Sequence, residues 1–294
     1  MKMIDLHTHG LAGFDTRSTQ PEHLIRIAEK HGAKGVSEIL LTLYPSPVNV
    51  MRTQMNNIRT AMLMQQDSDP EIAAKQARII GIHLEGPYLN PFRAGALNSI
   101  CFLNPDNHPL DDLIRGFEDI LKIITLAPEL DGATDLIKEI TSKGIYVNMG
   151  HSDATYRQAE AGYRAGAKGV THIFNAMRGI HHREPGLAGF GITHDDVYIE
   201  LIADPFHISS EIIKMILSVK NRDRIILVSD SVKESCCGRG FGKVSDSNDK
   251  LLGGSMTIAE SAEYLKEKTE LADEDIEKFI LTNPSTYLYG GNNS

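Results

Sequence analysis

Short apolar segments recur eight times along this chain, each followed by a stretch with helical spacing, and this pattern restricts the fold more than any other feature. The segments are rich in Ile, Leu and Val, as expected of strands that are buried on both faces of a parallel sheet. Eight strands alternating with helices are typical of a (β/α)8 barrel of the TIM type. The sequence therefore predicts an α/β protein in which residues 1–294 form a single catalytic barrel domain. The predicted strands are 3–10, 35–43, 78–82, 121–127, 145–149, 169–173, 198–203 and 224–228.

Proline, glycine and apolar spacing place the helices between these strands. A Gly-rich stretch, 185–191, is predicted to belong to a long loop after strand six, and 233–254 to form a polar excursion after strand eight. The predicted helices are 22–31, 48–66, 110–117, 134–143, 155–165 and 210–219, with two more near 256–269 and 273–281.

Metal-ligand side chains stand at the ends of five of the eight predicted strands. A single acid or imidazole at such a position is more often a satisfied core or turn residue. In a barrel, however, the carboxyl ends of all strands meet at one face, where barrel enzymes build their sites. The sequence therefore predicts one shared site. Its candidate residues are His7 and His9 on strand one, Glu85 on three, His151 on five, His172 on six and Asp230 on eight.

Histidine and carboxylate ligands suit a divalent ion, with Zn²⁺ or Fe²⁺ favoured. Glu85, His151 and His172 supply three ligands and leave a position for water, as in catalytic sites. Asp230 is then placed to act as the general base on that water and to return the proton to the leaving group. Hydrolysis of an unactivated carbonyl compound is the reaction class that this set of residues predicts.

Five motifs together resemble the N-acetylglucosamine-6-phosphate deacetylase family of the amidohydrolase superfamily, and they cover nearly the whole chain in order. They are His83-Leu84-Glu85-Gly86-Pro87, Gly150-His151-Ser152, Thr171-His172-Ile173-Phe174-Asn175-Ala176-Met177, Arg183-Glu184-Pro185-Gly186-Leu187-Ala188-Gly189 and Ser229-Asp230.

The resemblance implies removal of acetate from N-acetylglucosamine 6-phosphate, which yields glucosamine 6-phosphate. It implies that Glu85, His151 and His172 bind the catalytic metal and that Asp230 is the acid/base. The residues that it implies for holding the sugar phosphate are Asn175, the backbone of Ala176, Arg183 and His207. It also implies a homodimer in which Arg183 reaches the neighbouring chain's site.

The strand-one pair, His7 and His9, predicts a second metal. We expect one tight site and one weaker site, with Glu85 bridging the two ions and Asp230 touching the second.

The sequence departs from the family pattern in three places. The first strand begins at Met3 and the chain ends soon after Gly291, so we expect the family's small β-sandwich to be lacking. Pro205 replaces a usual Gly and was expected to re-aim His207, because its φ is fixed. Ser229 replaces a commoner Thr. The tail around Tyr287-Leu288-Tyr289 and the residues Met1–Ile4 are candidates to cover the exposed barrel surface, with fraying as the alternative.

Composition and charge restrict the classes of binding partner and the compartment that we expect for this chain. A net charge of −9 argues against a nucleic-acid binder. No apolar run reaches membrane-helix length and no signal-peptide pattern is present. Three cysteines cannot form a disulfide framework, so we expect a cytoplasmic protein. The family resemblance implies a small amino sugar phosphate as the binding partner. An acidic chain must gather positive charge locally to bind a phosphate, and the candidate cluster is His181, His182, Arg183 and His207. We interpret His181 and His182 as a solvated loop pair, whereas the resemblance favours Arg183 and His207 as phosphate ligands.

Three other functions compete with this interpretation. A different amidohydrolase would usually carry a carboxylated Lys on strand four, but that strand ends in Ala127-Pro128-Glu129. A metal-dependent phosphoesterase could use a similar barrel. A degenerate binding protein without turnover is the third alternative, against which the intact Asp230 argues.

Overall fold

Eight parallel strands form one sheet, and their order in the sheet is their order in the chain. The computed structural model describes residues 2–107, 109–237 and 242–290. The sheet curls into the predicted barrel, which confirms the fold class. Its strands are β1 Ile4–Thr8, β4 Glu38–Leu43, β5 Arg78–Glu85, β6 Leu121–Leu126, β7 Tyr146–Met149, β8 Gly169–Val170, β9 Tyr198–Ile202 and β10 Ile225–Val228, and a small hairpin pairs β2 Gly10–Leu11 with β3 Phe14–Asp15.

Side chains and isolated backbone contacts join β1 to β10 where the barrel closes. The Asp230 amide donates to the His7 carbonyl at 2.9 Å, and Thr8 pairs with Ser231. The buried Asp5 carboxylate accepts from the amides of His7 and Ser229, each at 3.2 Å. These contacts replace a full backbone ladder and bring the ends of the first and last strands together.

Helices surround the barrel, and most of them bury one face against it. In α2, Met51, Met55 and Ile58 are fully buried and recur at helical spacing, so they pack on the outward-facing side chains of the strands. The helices are α1 Pro21–Gly32, α2 Val48–Gln66, α3 Pro70–Ala73, α4 Leu110–Ile114, α5 Ala133–Ser142, α6 Tyr156–Ala165, α7 Gly186–Thr193, α8 Ser210–Val219, α9 Ile258–Lys268, α10 Asp273–Glu277 and α11 Asn283–Tyr289, with a π-helical turn Lys278–Thr282 between the last two. No helix of the described residues is long and apolar enough to cross a membrane.

The segment 185–191 was predicted to be a loop, and that prediction was wrong. Helix α7 occupies it, and its residues 186–192 are buried. The glycines allow close packing rather than flexibility. A Cβ on Gly191 would lie 3.1 Å from Ile173 and 3.2 Å from Val170, so the missing side chain lets the helix press against β8.

The tail packs at the amino-terminal end of the barrel. Tyr287 and Leu288 of α11 are buried in a cluster with Ile4, Leu40 and other residues from the start of the strands. Fraying of the described part of this tail is therefore contradicted. Met1 and residues 291–294, which shared the prediction, lie outside the described residues.

Candidate active site

Four of the predicted site residues have a backbone conformation that L-amino acids rarely adopt: Ala176, with a φ of 49°, and three residues at strand ends. The φ angles are 46° for His151, 30° for His172 and 46° for Asp230, and each residue follows the end of a barrel strand. Positive φ in non-glycine residues costs free energy and clusters at functional sites. The strand ends are therefore shaped to turn these side chains toward a common point.

Glu85, His151 and His172 form the first group of ligand atoms. The Nε2 atoms of both histidines lie 3.0 Å from Glu85 Oε1 and 3.1 Å from each other. All three side chains are buried. The structure thus brings together the three residues predicted to hold the first metal.

His7, His9 and Asp230 form the second group. His7 Nε2 lies 3.2 Å from His9 Nε2 and 3.4 Å from Asp230 Oδ1. Glu85 joins the groups, because its Oε2 lies 3.1 Å from His9 Nε2 while its Oε1 faces the first group. The carboxylate of Glu85 therefore lies between the two groups.

The donor set fits divalent metal ions. Ligand atoms at the usual distances from a tetrahedral ion lie roughly 3.3 Å from one another. The separations within the two groups range from 3.0 to 3.6 Å. Each group offers only imidazole nitrogens and carboxylate oxygens, the ligands that Zn²⁺ and Fe²⁺ accept.

Burial and mutual charge perturb the site's titrating groups. Burial alone would raise the pKa of Glu85, but the charge of His151 and hydrogen bonds from the surrounding imidazoles hold it well below its ordinary value. Burial, reinforced by the charge of Glu85, raises the pKa of Asp230 to about 8. The two carboxylates therefore differ in proton affinity.

Neighbouring residues that the sequence interpretation missed orient the histidines. Each of these residues contacts a histidine ring in a different way, so no common sequence motif predicts them. His151 Nδ1 donates to the Arg93 carbonyl at 2.9 Å, and His7 Nδ1 contacts Glu200 Oε2 at 3.1 Å. The His9 ring stacks on Tyr44 with centroids 3.8 Å apart.

A cavity of about 240 Å³ opens above the two groups. Asn175, Ala176 and His207 line it, as predicted, together with Asp230. Lys250 also lines it, from the excursion whose function the sequence left open. Arg183 does not belong to this lining: it lies in an exposed turn, where its guanidinium contacts His182 at 2.9 Å.

His207 lines the cavity, and the effect of Pro205 on its orientation stays a prediction. Asp204, which is fully buried, accepts from His207 Nδ1 at 2.9 Å. The same carboxylate accepts from the His207 and Phe206 amides and from the amide and hydroxyl of Ser255. Asp204 therefore connects the His207 ring to Ser255, which follows the cavity-lining segment that contains Lys250.

Buried imidazoles and carboxylates gathered at the carboxyl ends of the barrel strands indicate an enzyme of the amidohydrolase type. Solved structures support this class. The chain superposes on N-acetyl-D-glucosamine-6-phosphate deacetylase of Mycobacterium smegmatis with a TM-score of 0.86 at 26% identity, over 98% of this chain and 77% of that one. For the N-acetylglucosamine-6-phosphate deacetylase of Thermotoga maritima the TM-score is 0.84 at 26% identity, over 97% and 77%.

Sequence relatives give the family. The chain is 30% identical to N-acetylglucosamine-6-phosphate deacetylase of Bacillus subtilis over 97% of its own length and 74% of that protein's. It is 34% identical to the Vibrio furnissii protein of the same name, over 87% and 65%. It is 29% identical to N-acetylgalactosamine-6-phosphate deacetylase of Escherichia coli O157:H7, over 97% and 76%. No protein-family model matches the chain. The chain belongs to the N-acetylglucosamine-6-phosphate deacetylase family, as the motifs predicted.

Proposed function

We propose that this chain hydrolyses the acetamide group of N-acetylglucosamine 6-phosphate, releasing acetate and glucosamine 6-phosphate. The observation that carries the proposal is the meeting of two ligand groups at Glu85, directly beneath a small cavity that Asp230 lines. Family membership supports the substrate, because a variant of the Mycobacterium smegmatis relative has been crystallised in complex with N-acetyl-D-glucosamine-6-phosphate.

The proposed metal ligands are the two groups described above. Glu85, His151 and His172 would hold the tighter ion; His7, His9 and Asp230 would hold a weaker one, with Glu85 bridging. Zn²⁺ and Fe²⁺ are the favoured ions. A bound ion would polarise the amide carbonyl and activate a water molecule for attack.

Asp230 is the proposed acid/base. Its carboxylate takes a proton from the attacking water and delivers it to the sugar nitrogen, so the carbon–nitrogen bond breaks and the amine departs neutral. Burial beside Glu85 raises the pKa of Asp230 to about 8, so its carboxylate is a stronger base than that of an ordinary aspartate. The bond balance is that of amide hydrolysis: one water adds, and acetate and amine leave.

Positive charge at the cavity would hold the phosphate. Lys250 contributes it from within the chain, and the His207 ring lines the same cavity. Arg183, which is exposed and outside the cavity lining, is proposed to serve the site of a second copy in a homodimer. Its planar guanidinium suits phosphate oxygens better than an ammonium group.

N-acetylgalactosamine 6-phosphate is the second candidate substrate, because the Escherichia coli O157:H7 relative carries that name. The two sugars differ at one hydroxyl. Both would use the same metal groups and the same acid/base.

An assay of both products tests the proposal against its rivals. Purified, metal-loaded protein is incubated with each sugar phosphate, and acetate, free amine and inorganic phosphate are measured. We expect acetate and amine in equal amounts and a higher kcat/KM for the glucosamine derivative. Release of phosphate instead would indicate a phosphoesterase, and absence of both products would indicate a binding protein.

Metal content tests the two-site part separately. After mild chelation and re-addition of Zn²⁺, elemental analysis should give a ratio of metal to protein above one. A ratio that never exceeds one would refute the second site.

A further inference from the structure

A chain of hydrogen bonds runs through the barrel interior from the last helix to the first strand. The Tyr287 hydroxyl of α11 donates to Asn148 Oδ1 at 2.5 Å. Asn148 Nδ2 donates to Glu200 Oε1 at 2.7 Å. Glu200 Oε2 lies 3.1 Å from His7 Nδ1. Since barrel interiors are usually filled by branched apolar side chains, this polar path needs an explanation.

The donors and acceptors along the path fit only one orientation. A hydroxyl that donates to the Asn148 oxygen leaves the amide nitrogen facing Glu200. Glu200 then has an N–H donor at each oxygen if His7 carries its proton on Nδ1. That tautomer leaves the His7 Nε2 lone pair directed at His9, Glu85 and Asp230.

The backbone makes room for the amide. An added Cβ at Gly169 would lie 2.3 Å from Asn148 Oδ1. The side chains of Asn148, Glu200, His7 and Tyr287 are all buried. Water is therefore a poor substitute for any missing member of the path.

A metal held by His7, His83 and Glu200 is an alternative explanation, since their ligand atoms lie within 4.8 Å of one another. His83, however, uses both ring nitrogens elsewhere. Its Nε2 contacts Thr125 Oγ1 at 2.8 Å and its Nδ1 contacts the Leu6 carbonyl at 3.2 Å. The geometry favours hydrogen bonding over ligation at Glu200.

We propose that Glu200 is a positioning residue that holds His7 in the metal-binding tautomer, and that Asn148 and Tyr287 hold Glu200 in turn. The C-terminal helix thereby sets the affinity of the weaker metal site. This inference rests on the second site of the proposed function. Partners of metal-bound histidines typically change metal affinity by about 10- to 100-fold.

The variant Glu200→Gln tests the tautomer directly. Because Asn148 presents an N–H, the new amide should turn its oxygen toward Asn148 and its nitrogen toward His7. His7 Nδ1 must then accept, and the proton moves to Nε2, where it blocks ligation. We expect the weaker site to lose about 10- to 100-fold in Zn²⁺ affinity, while the tighter site keeps its affinity.

Tyr287→Phe removes the group that orients Asn148 and should weaken the same site less, on the order of threefold. In the double variant Asn148 is free to turn its oxygen toward the new glutamine. The weaker site should then bind Zn²⁺ more tightly than in Glu200→Gln alone. Tyr198→Phe is the matched control, because its ring packs 5.0 Å from Tyr287 outside the hydrogen-bond path.

The readout is calorimetric titration of metal-free protein with Zn²⁺, checked by elemental analysis and by circular dichroism for folding. Unchanged affinity of the weaker site in Glu200→Gln would overturn the inference, as would equal losses at both sites or additive losses in the double variant. If Glu200→Gln fails to fold, the comparison of Tyr287→Phe with Tyr198→Phe is the test. Equal Zn²⁺ affinities of the weaker site in these two variants would overturn the inference. If the parent protein binds Zn²⁺ at both sites but shows no deacetylase activity, the proposed function is refuted while the inference about Glu200 stands.

Discussion

Asp204 offers the sharpest test of how the cavity wall is built. Its Oδ2 accepts from His207 Nδ1 and from the amide and hydroxyl of Ser255 at 2.9–3.2 Å, and its Oδ1 accepts two backbone amides at 2.8 Å. Burial alone would raise the pKa of Asp204, but the hydrogen bond and charge of His207 and the backbone amides lower it from 3.8 to about 2.

The lowered pKa has a definite sign in the stability. A carboxyl whose folded pKa lies below its unfolded value stabilises the fold above pH 4, and this contribution disappears as the pH falls toward 2. With about 1.4 kcal/mol for each unit of pKa, the drop from 3.8 to about 2 corresponds to about 2 kcal/mol at neutral pH.

Asp204→Asn removes that charge and one acceptor. With the new amide nitrogen in the position of Oδ2, the Ser255 N–H has no acceptor. Leaving this buried donor unpaired costs about 1–3 kcal/mol. We therefore expect a loss of roughly 3–5 kcal/mol in the free energy of unfolding at pH 7. The KM for the sugar phosphate should also rise, because His207 loses the carboxylate that orients its ring.

Urea unfolding of both proteins at pH 7, 5, 4 and 3 measures the difference. It should be constant from pH 7 to 5 and shrink below pH 4. Asp135→Asn, at an exposed helix position, is the control and should change stability by less than about 0.5 kcal/mol. A variant as stable as the parent at pH 7, or a difference that does not change down to pH 3, would refute the reasoning.

Four further outcomes follow from the geometry. Asp230→Asn should keep the tighter metal but lower kcat by about 10²–10⁴-fold, and near-parental kcat with full metal occupancy would contradict its acid/base role. Lys250→Met should raise KM with little change in kcat, whereas an unchanged KM would place the phosphate elsewhere. Mixing Asp230→Asn chains with Arg183→Ala chains should restore activity in verified mixed dimers; no recovery would argue that Arg183 does not cross a subunit boundary. Lys220→Met should stabilise the protein by about 2 kcal/mol more at pH 7 than at pH 10. Burial lowers the pKa of Lys220 to about 8, so charging this side chain in the folded protein costs stability as the pH falls from 10.5. Equal effects on urea unfolding at the two pH values would contradict this prediction.

Local pattern was sufficient for the architecture. The bounds predicted for α2 and α8 agree with the structure, because apolar periodicity and flanking proline or serine act within one turn of the chain. The prediction for 185–191 was wrong because glycine has two uses. It loosens an exposed loop, but it also lets a buried helix approach a strand, and only the neighbours of Gly191 decide between them.

The metal-ligand candidates were also within reach of the sequence, since strand ends in a barrel converge on one face whatever the side chains are. The convergence of Glu85, His151 and His172 needed no knowledge of packing. Their roles as ligands remain a prediction that metal binding must test.

The residues that orient the site became visible only in the tertiary structure. Glu200 and Asp204 lie on or just after a strand distant in sequence from His7 and Ser255, and neither follows a recognisable spacing. A hydrogen bond between side chains far apart in the chain depends on the curvature and register of the barrel, which no local pattern encodes. The residue types at the strand ends were thus sufficient to predict the class of reaction. Long-range packing alone decided which ring nitrogen faces the site and which loops form the cavity wall.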